Sequence, residues 1–400
     1  MITLDTIYKA STVLKGMVRH TPLFPTKHFN PDCQLFLKAE NLQITGSFKV
    51  RGSAFKMSQL SDEEKAKGVI ACSAGNHAQG VALAATRCGT KSLICLPSGA
   101  PISKVEATRE YGAEICLVNG VYDDAYREAL RIREERNLTF IHPFDDELVI
   151  AGQGSIGLEV LADLPDVEVL LVPIGGGGLA AGVACAVKML NPNVLVYGVQ
   201  AEGAASMVRS MESNSIQRLK SVNTIADGIA VKQPGEHTFA MCQKYLDGIV
   251  TVSEDEICAA ILALIEHRKL ISEGAGAVSV AAAMYNKVPV QGKRVCGIVS
   301  GGNIDVTILN RVITRGLLKS SRLVEMLIEM PDRPGSLLGL TQIIFNNGAN
   351  IISVHHERRG DSKDVTSCNL RIVLETRDRP QIDSIMHDIE VAGYLILEAN

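Results

Sequence analysis

Short, continuous apolar runs recur along most of the chain, at 35–38, 69–73, 92–96, 114–117, 169–174, 195–200 and 294–299, and helical spacing fills the intervals, as at 77–87 and 179–190. After the first run a turn leads into the segment 45–57. A strand with one face in water alternates apolar and polar residues, whereas a strand covered by helices on both faces is apolar throughout. The runs therefore predict parallel strands joined by helical crossovers, an α/β architecture of βαβ units.

The texture changes around 316–322, where the glycine-rich, small-residue pattern stops and a polar connector, Lys319-Ser320-Ser321-Arg322, begins. Beyond it the pattern predicts a strand at 323–330, a helix at 337–347, strands at 350–358 and 365–375, a helix at 381–392 and a last strand at 394–398. That βαββαβ order is a ferredoxin-like module. The expected domains are thus 1–318 and 319–400.

At 400 residues the chain exceeds what one hydrophobic core usually serves, which agrees with more than one packed unit. The 46% hydrophobic content, with no Trp, suits tightly packed helices on sheets. With 40 basic against 44 acidic residues, and no basic cluster interleaved with aromatics, nothing attracts a nucleic-acid backbone or an anionic membrane, so a small molecule is the expected partner. The ten cysteines form no CxxC pair and no Cys/His cluster at metal-ligand spacing, and read as buried cytosolic thiols. The opening residues lack the basic start and apolar run of a secretory signal. The uncharged stretch 169–187 is long enough to imitate a membrane span, but glycines interrupt it. A cytoplasmic protein is expected.

Four consecutive glycines, Gly175, Gly176, Gly177 and Gly178, lie between an apolar run and a helix. Bare backbone amides can close on an anion there, helped by the free N–H groups and dipole of the helix. The segment reads either as a phosphate cradle or as a tight strand-to-helix turn, and four glycines in a row favour the first. Its spacing is neither that of a dinucleotide fingerprint nor that of a P-loop. Lys49 stands in Ser47-Phe48-Lys49-Val50-Arg51-Gly52, beside an aromatic and small residues, where burial would favour the neutral amine a nucleophile needs. An isolated lysine is otherwise a solvated surface group. Ser73-Ala74-Gly75-Asn76-His77 begins where a strand gives way to a helix, so that hydroxyl, amide and backbone groups can converge on a carboxylate, although an ordinary N-cap has the same spacing. His77 fits a polar residue satisfied at a helix start as well as a chemical role. Ser300-Gly301-Gly302-Asn303 follows the run 294–299, either as a turn or at the strand end where open parallel sheets bind ligands.

Taken in this order, the segments resemble the fold-type II pyridoxal 5'-phosphate (PLP) enzymes, most closely the threonine dehydratases, or threonine ammonia-lyases, from about Arg19 to Arg315. The resemblance implies two parallel αβα subdomains, the smaller covering roughly 48–140 and inserted in the larger. It implies that Lys49 carries the cofactor, that Phe48 packs beside the ring and that Gly175 through Gly178 hold the phosphate. Asn76 would meet the phenolic oxygen and Ser300 the pyridine nitrogen, while Ser73, Gly75, Asn76 and His77 receive the substrate carboxylate. The implied reaction converts L-threonine to 2-oxobutanoate, with L-serine to pyruvate as a secondary activity because the substrates differ by one methyl. A hydroxyl opposite the ring nitrogen leaves a weaker electron sink than a carboxylate would.

Departures from neighbouring families sharpen this expectation. Val50 stands where threonine synthases usually carry Asp, and Ala74 where serine racemases place a second serine, so elimination is expected over replacement and racemisation is expected to be minor. Racemase-like members bind a divalent cation through Glu and Asp after the phosphate loop. Glu202 matches one of these, but 204–210 offers no acidic partner, and no metal is expected. Glu273 matches a family glutamate near the cofactor and equally a carboxylate at a helix start.

The C-terminal segment resembles an ACT domain through Asp332-Arg333-Pro334-Gly335-Ser336-Leu337 at its first strand-to-helix turn. The resemblance implies an amino-acid effector at Gly335, Ser336 and Leu337, with isoleucine or valine the natural choices, and pairing between subunits in a homodimer or tetramer. A purely structural pairing module is the alternative. For the whole chain the competing readings are a serine dehydratase or racemase of the same fold and an amino-acid sensor with a vestigial site. The intact Lys49, Asn76, glycine loop and Ser300 weigh against the sensor.

Overall fold

The computed structural model describes residues 2–357 and 366–399. By its internal contacts the chain divides into Met1–Ile308 and Leu309–Asn400. The first unit contains strands β1 (Leu23–Thr26), β2 (Gln34–Ala39), β3 (Val69–Cys72), β4 (Ser92–Pro97), β5 (Glu114–Val118), β6 (Thr139–Phe140), β7 (Val169–Pro173), β8 (Leu195–Ala201), β9 (Gly248–Val252) and β10 (Arg294–Val299). They form a six-stranded sheet in the order β1-β2-β10-β7-β8-β9 and a four-stranded sheet in the order β5-β4-β3-β6. Every pairing is parallel except that of β1 with β2. These are the two parallel αβα layers that the resemblance implies.

Strands β3 and β7 are buried along their whole length, the physical counterpart of their unbroken apolar runs. Strands β1, β6 and β9 fall outside the runs that predict strands. β1 is an antiparallel edge whose exposed Pro25 cannot donate to a ladder, β6 has two residues, and β9 is an edge strand buried fully only at Val252.

Motif-bearing segments leave the carboxyl ends of strands in both sheets. Ser73 follows β3, the glycine loop follows β7 and Ser300 follows β10. Lys49 opens the helix Lys49–Ser58, which is anchored by Arg51. This fully buried guanidinium makes two 2.8 Å bonds to Glu40, just after β2, and bonds of 2.6 and 2.9 Å to Glu159 on the helix Glu147–Asp163. Arg51 therefore works in the scaffold, fixing the first turn of the helix that presents Lys49.

The second unit contains β11 (Leu323–Pro331), β12 (Asn350–Glu357), β13 (Ser367–Glu375) and β14 (Leu395–Ala399), antiparallel in the order β12-β13-β11-β14. With the helices Ser336–Asn346 and Arg379–Val391 this is the βαββαβ module expected from sequence. Buried and less buried residues alternate along β11 and β13, because the helices cover one face only. Leu340, Ile344, Ile385 and Ile389 pack there against Ile328, Leu370 and Ile372. Arg358 and Val365, where two expected strands end and begin, lie outside the described residues. No helix among the described residues is long and apolar enough to cross a membrane.

Candidate active site

The loops at these strand ends enclose a cavity of about 800 Å3 in the first unit, and Phe48, Lys49, Ser73, Gly75, Asn76, His77, Gly175 to Gly178 and Ser300 all line it. Segments far apart in sequence are stitched together at its floor. Phe48 N donates to Ser300 O at 3.1 Å, and Ser47 bridges to Gly301.

Lys49 Nζ donates to the carbonyl of Pro143 at 2.8 Å and lies 5.3 Å from the centre of the Phe48 ring. Burial lowers its pKa to about 8, opposed by the charge of Glu273. An amine in this range exchanges protons near neutral pH. Ser300 is 2% exposed, and its hydroxyl donates to Ala275 O at 3.2 Å.

The glycine loop is a place where side chains cannot go. Gly177 has φ +101°, and a Cβ there would come within 2.7 Å of Met207 Cε and 2.8 Å of Thr238 Cβ. A Cβ on Gly176 would run into the Phe144 ring. Thr238 Oγ1 donates to Gly176 O at 2.6 Å, and Asp145 accepts from the backbone of Glu236 and Thr238, both at 3.0 Å. These bonds seat the helix Glu236–Tyr245 beside the loop. The first-turn amides of the helix Gly178–Leu190 have no helical partner and bear the positive end of its dipole, which suits an anion.

A second helix start faces the same cavity. The helix Asn76–Arg87 has Gly75 as N-cap with no side-chain cap, while Ser73 Oγ accepts from Gly75 N at 3.2 Å. A Cβ on Gly75 would meet nothing within 4 Å, so this approach is open. The His77 side chain is poorly suited to acid–base chemistry. Its Nε2–H donates to Ile141 O at 2.9 Å, Nδ1 is buried with no partner among the described residues, and burial together with the Lys49 charge drives its pKa down to about 3.

Asn76 is clamped from two sides. Its Nδ2 donates to Glu273 Oε1 at 2.7 Å, and its Oδ1 accepts from Asn303 Nδ2 at 2.8 Å. Asn303 also donates to Thr45 O at 2.7 Å. Glu273 is the N-cap residue of the helix Gly274–Met284, yet its carboxyl makes no capping bond and turns to Asn76 instead. Burial raises its pKa to about 7, reinforced by Asp227 and opposed by Lys104, Asn76 and Lys49. Gly301 has no room for a side chain because a Cβ would collide with that carboxyl.

Sequence reasoning gave no role to Asn303 or to Pro143, Phe144 and Asp145. Asn303 closes the quoted Ser300–Asn303 segment, so its place was visible but its partner was not. The 142–145 segment carried a signal in its His-Pro-Phe-Asp composition straight after the short apolar stretch at β6. Lys104 and Asp227, paired at 2.6 Å, also line the cavity. In the second unit, Gly335 has φ +94° and caps the helix that Ser336 opens. Ser336 is buried and accepts from Tyr394 Oη at 3.0 Å, while Leu337 is exposed.

Comparison with known proteins shows the family to which the chain belongs. Residues 14–301 match the family model described as pyridoxal-phosphate dependent enzyme, and residues 324–391 match the ACT domain. A protein of Thermotoga maritima named L-threonine ammonia-lyase is 47% identical over 396 residues, covering 98% of both chains. The solved threonine deaminase isoform 2 of Solanum lycopersicum superposes with a TM-score of 0.74 at 38% identity, covering 78% of this chain and 93% of that one. Maize serine racemase gives 0.75 at 33% identity, covering 79% of this chain and 98% of that one.

Proposed function

Because the chain belongs to the pyridoxal-phosphate dependent enzymes, as a member of the threonine ammonia-lyase family with an ACT domain, we propose that it deaminates L-threonine to 2-oxobutanoate and, as a secondary activity, L-serine to pyruvate. Its cofactor is pyridoxal 5'-phosphate. The observation that carries the reading is that a lysine amine with a lowered pKa, a side-chain-free anion cradle and an uncapped helix start meet in one cavity.

The residues present fit the cofactor. The glycine loop excludes every side chain at Gly176 and Gly177 and leaves first-turn amides for a phosphate, with Lys49 across the same cavity as attachment point. Asn76, Phe48 and Ser300 would hold the ring. When bound, the cofactor supplies an aldehyde for the substrate amino group and a ring that withdraws electrons from Cα.

The chain's own part follows from its geometry. The open amides at the start of the helix Asn76–Arg87, with Ser73 and Gly75 beside them, orient the substrate carboxylate. Lys49 Nζ, once free, takes the proton from Cα, a task for which a pKa of about 8 suits it. Ser300 sets a neutral hydroxyl, not a carboxylate, at the floor of the site, which favours departure of the β-hydroxyl over a long-lived charge at Cα. Ala74 offers no hydroxyl to return a proton from the opposite side, which supports elimination over racemisation. The released enamine hydrolyses to the 2-oxo acid and ammonia.

Holoenzyme given L-threonine is expected to form 2-oxobutanoate and ammonia in equal amounts, and Lys49→Ala to form neither. A wild type that binds the cofactor but yields only D-amino acid would overturn the reading. The Gly335 turn, with Ser336 and Leu337, is our proposed effector site for isoleucine or valine, supported by its left-handed glycine before an open helix start. Pairing of the ACT module would make the cytoplasmic enzyme a homodimer or tetramer.

A further inference from the structure

We propose that the C-terminal unit holds a divalent transition-metal cation of the zinc class between Asp332, His356 and Cys368. Each offers one ligand atom, and the three atoms lie within 4.8 Å of one another. His356 Nε2 is 3.0 Å from Cys368 Sγ. Zinc bonds of about 2.3 Å to sulfur and about 2.0 Å to nitrogen put tetrahedral neighbours roughly 3.5 Å apart, so small side-chain movements close the site.

Strand register brings the ligands together. Cys368 on the central strand β13 pairs with Met330 on β11, and Asp332 lies just past the end of β11, where its N–H donates to Thr366 O at 2.9 Å. On the other flank His356 of β12 pairs with Leu370, which shares a face with Cys368. The trio therefore gathers three adjacent chain segments at one end of one face. Sequence spacing conceals it, since no two ligands share a local motif.

The chemistry of the set favours a borderline-soft cation. A thiolate and a carboxylate cancel a double positive charge, imidazole adds a neutral ligand, and a fourth position is left for water. Cys368 is 1% exposed whereas Asp332 and His356 are exposed, so the sulfur is shielded from behind and the cation has a path from solvent.

The test is a Co2+ titration of chelator-treated full-length holoenzyme, read as a difference spectrum against the same holoenzyme without metal. Expected are a near-ultraviolet thiolate-to-cobalt band and visible tetrahedral bands that saturate at one ion per chain, are displaced by Zn2+, and vanish in Cys368→Ser and in His356→Gln. Thermal melting of both variants checks that they fold, and His356, being exposed, gives a variant whose folding is not at risk. A wild type without the thiolate band overturns the proposal. So does a band that survives either substitution, because the chain has ten cysteines and the ion would then sit elsewhere.

Discussion

Asn303 donates its side-chain amide to Oδ1 of Asn76 at 2.8 Å, which leaves Asn76 only one way to face: its own amide points at Glu273, 2.7 Å away. The orientation of the residue proposed to meet the cofactor ring is thus set by a residue with no contact role of its own.

Removing that clamp should be felt in turnover. Asn303→Ala frees Asn76 to rotate, and the loss of an orienting bond of about 1–3 kcal/mol corresponds to a fall in kcat of roughly 5- to 150-fold. KM for threonine should change less, because the proposed carboxylate site lies at the helix start, and the visible spectrum of the bound cofactor should shift. Steady-state kinetics with the spectrum decide it. An unchanged kcat would mean that Glu273 alone positions Asn76.

Glu273 gives a pH signature with a definite sign. Its folded pKa of about 7 stands above its ordinary value of 4.5, so the folded state holds the proton more tightly. The associated stability is complete below about pH 4.5 and is lost as pH rises through 7. The full displacement corresponds to about 3 kcal/mol at most. Glu273→Gln keeps an acceptor for Asn76 and removes the titration. In cofactor-free protein its melting temperature relative to wild type should therefore rise steadily between pH 4.5 and 7.5. A constant difference across that window would show that the carboxyl ionises normally.

How much of this could be read from sequence depends on how local the cause is. Gly175 to Gly178 announce themselves because the backbone demand and its answer occupy the same four positions. Strands β3 and β7 are legible because burial on both faces leaves a continuous run, and β11 and β13 because burial on one face leaves an alternation. Strand β1 was silent, being short, at an edge and broken by Pro25. Asn303, Glu273 and Pro143 act through partners far away in the chain, and nothing local to them names those partners. Asp332, His356 and Cys368 are the extreme case, joined only by strand register.

Two glycines of the site should respond oppositely to the same substitution. Gly177→Ala forces a left-handed backbone on a side chain that also meets Met207 and Thr238, so stability should fall by roughly 2–5 kcal/mol and the protein should purify without cofactor. Gly75→Ala meets open space, and its melting temperature should stay within about 2 °C of wild type, given a cost below roughly 0.5 kcal/mol. Its methyl enters the cavity beside the open amides, so KM for threonine should rise. Melting curves and cofactor content of the two variants test the contrast. Equal loss of stability would remove the distinction between a packed cradle and an open helix start.

Arg51 sits two residues from Lys49 but is predicted to matter for folding before chemistry. Burial works against its charge, and Glu40 and Glu159 outweigh that cost, holding its pKa above the ordinary value. In Arg51→Met the two carboxylates fare differently. Glu159 keeps Lys38 at 2.7 Å, but Glu40, fully buried, keeps among the described residues only the Thr21 hydroxyl as a short hydrogen bond and the more distant charge of Lys38. Stranding a buried carboxylate costs about 3–5 kcal/mol, so the variant should melt well below wild type. Adding Glu40→Gln removes the stranded charge and should recover more than half of the loss, measured as the shift in denaturation midpoint. Arg51→Lys should fall short of wild type as well, since an ammonium cannot span both carboxylates as the planar guanidinium does. If the double variant is no more stable than Arg51→Met, the cost lies in lost packing around the arginine stem and the ionic anchor is not what fixes the helix bearing Lys49.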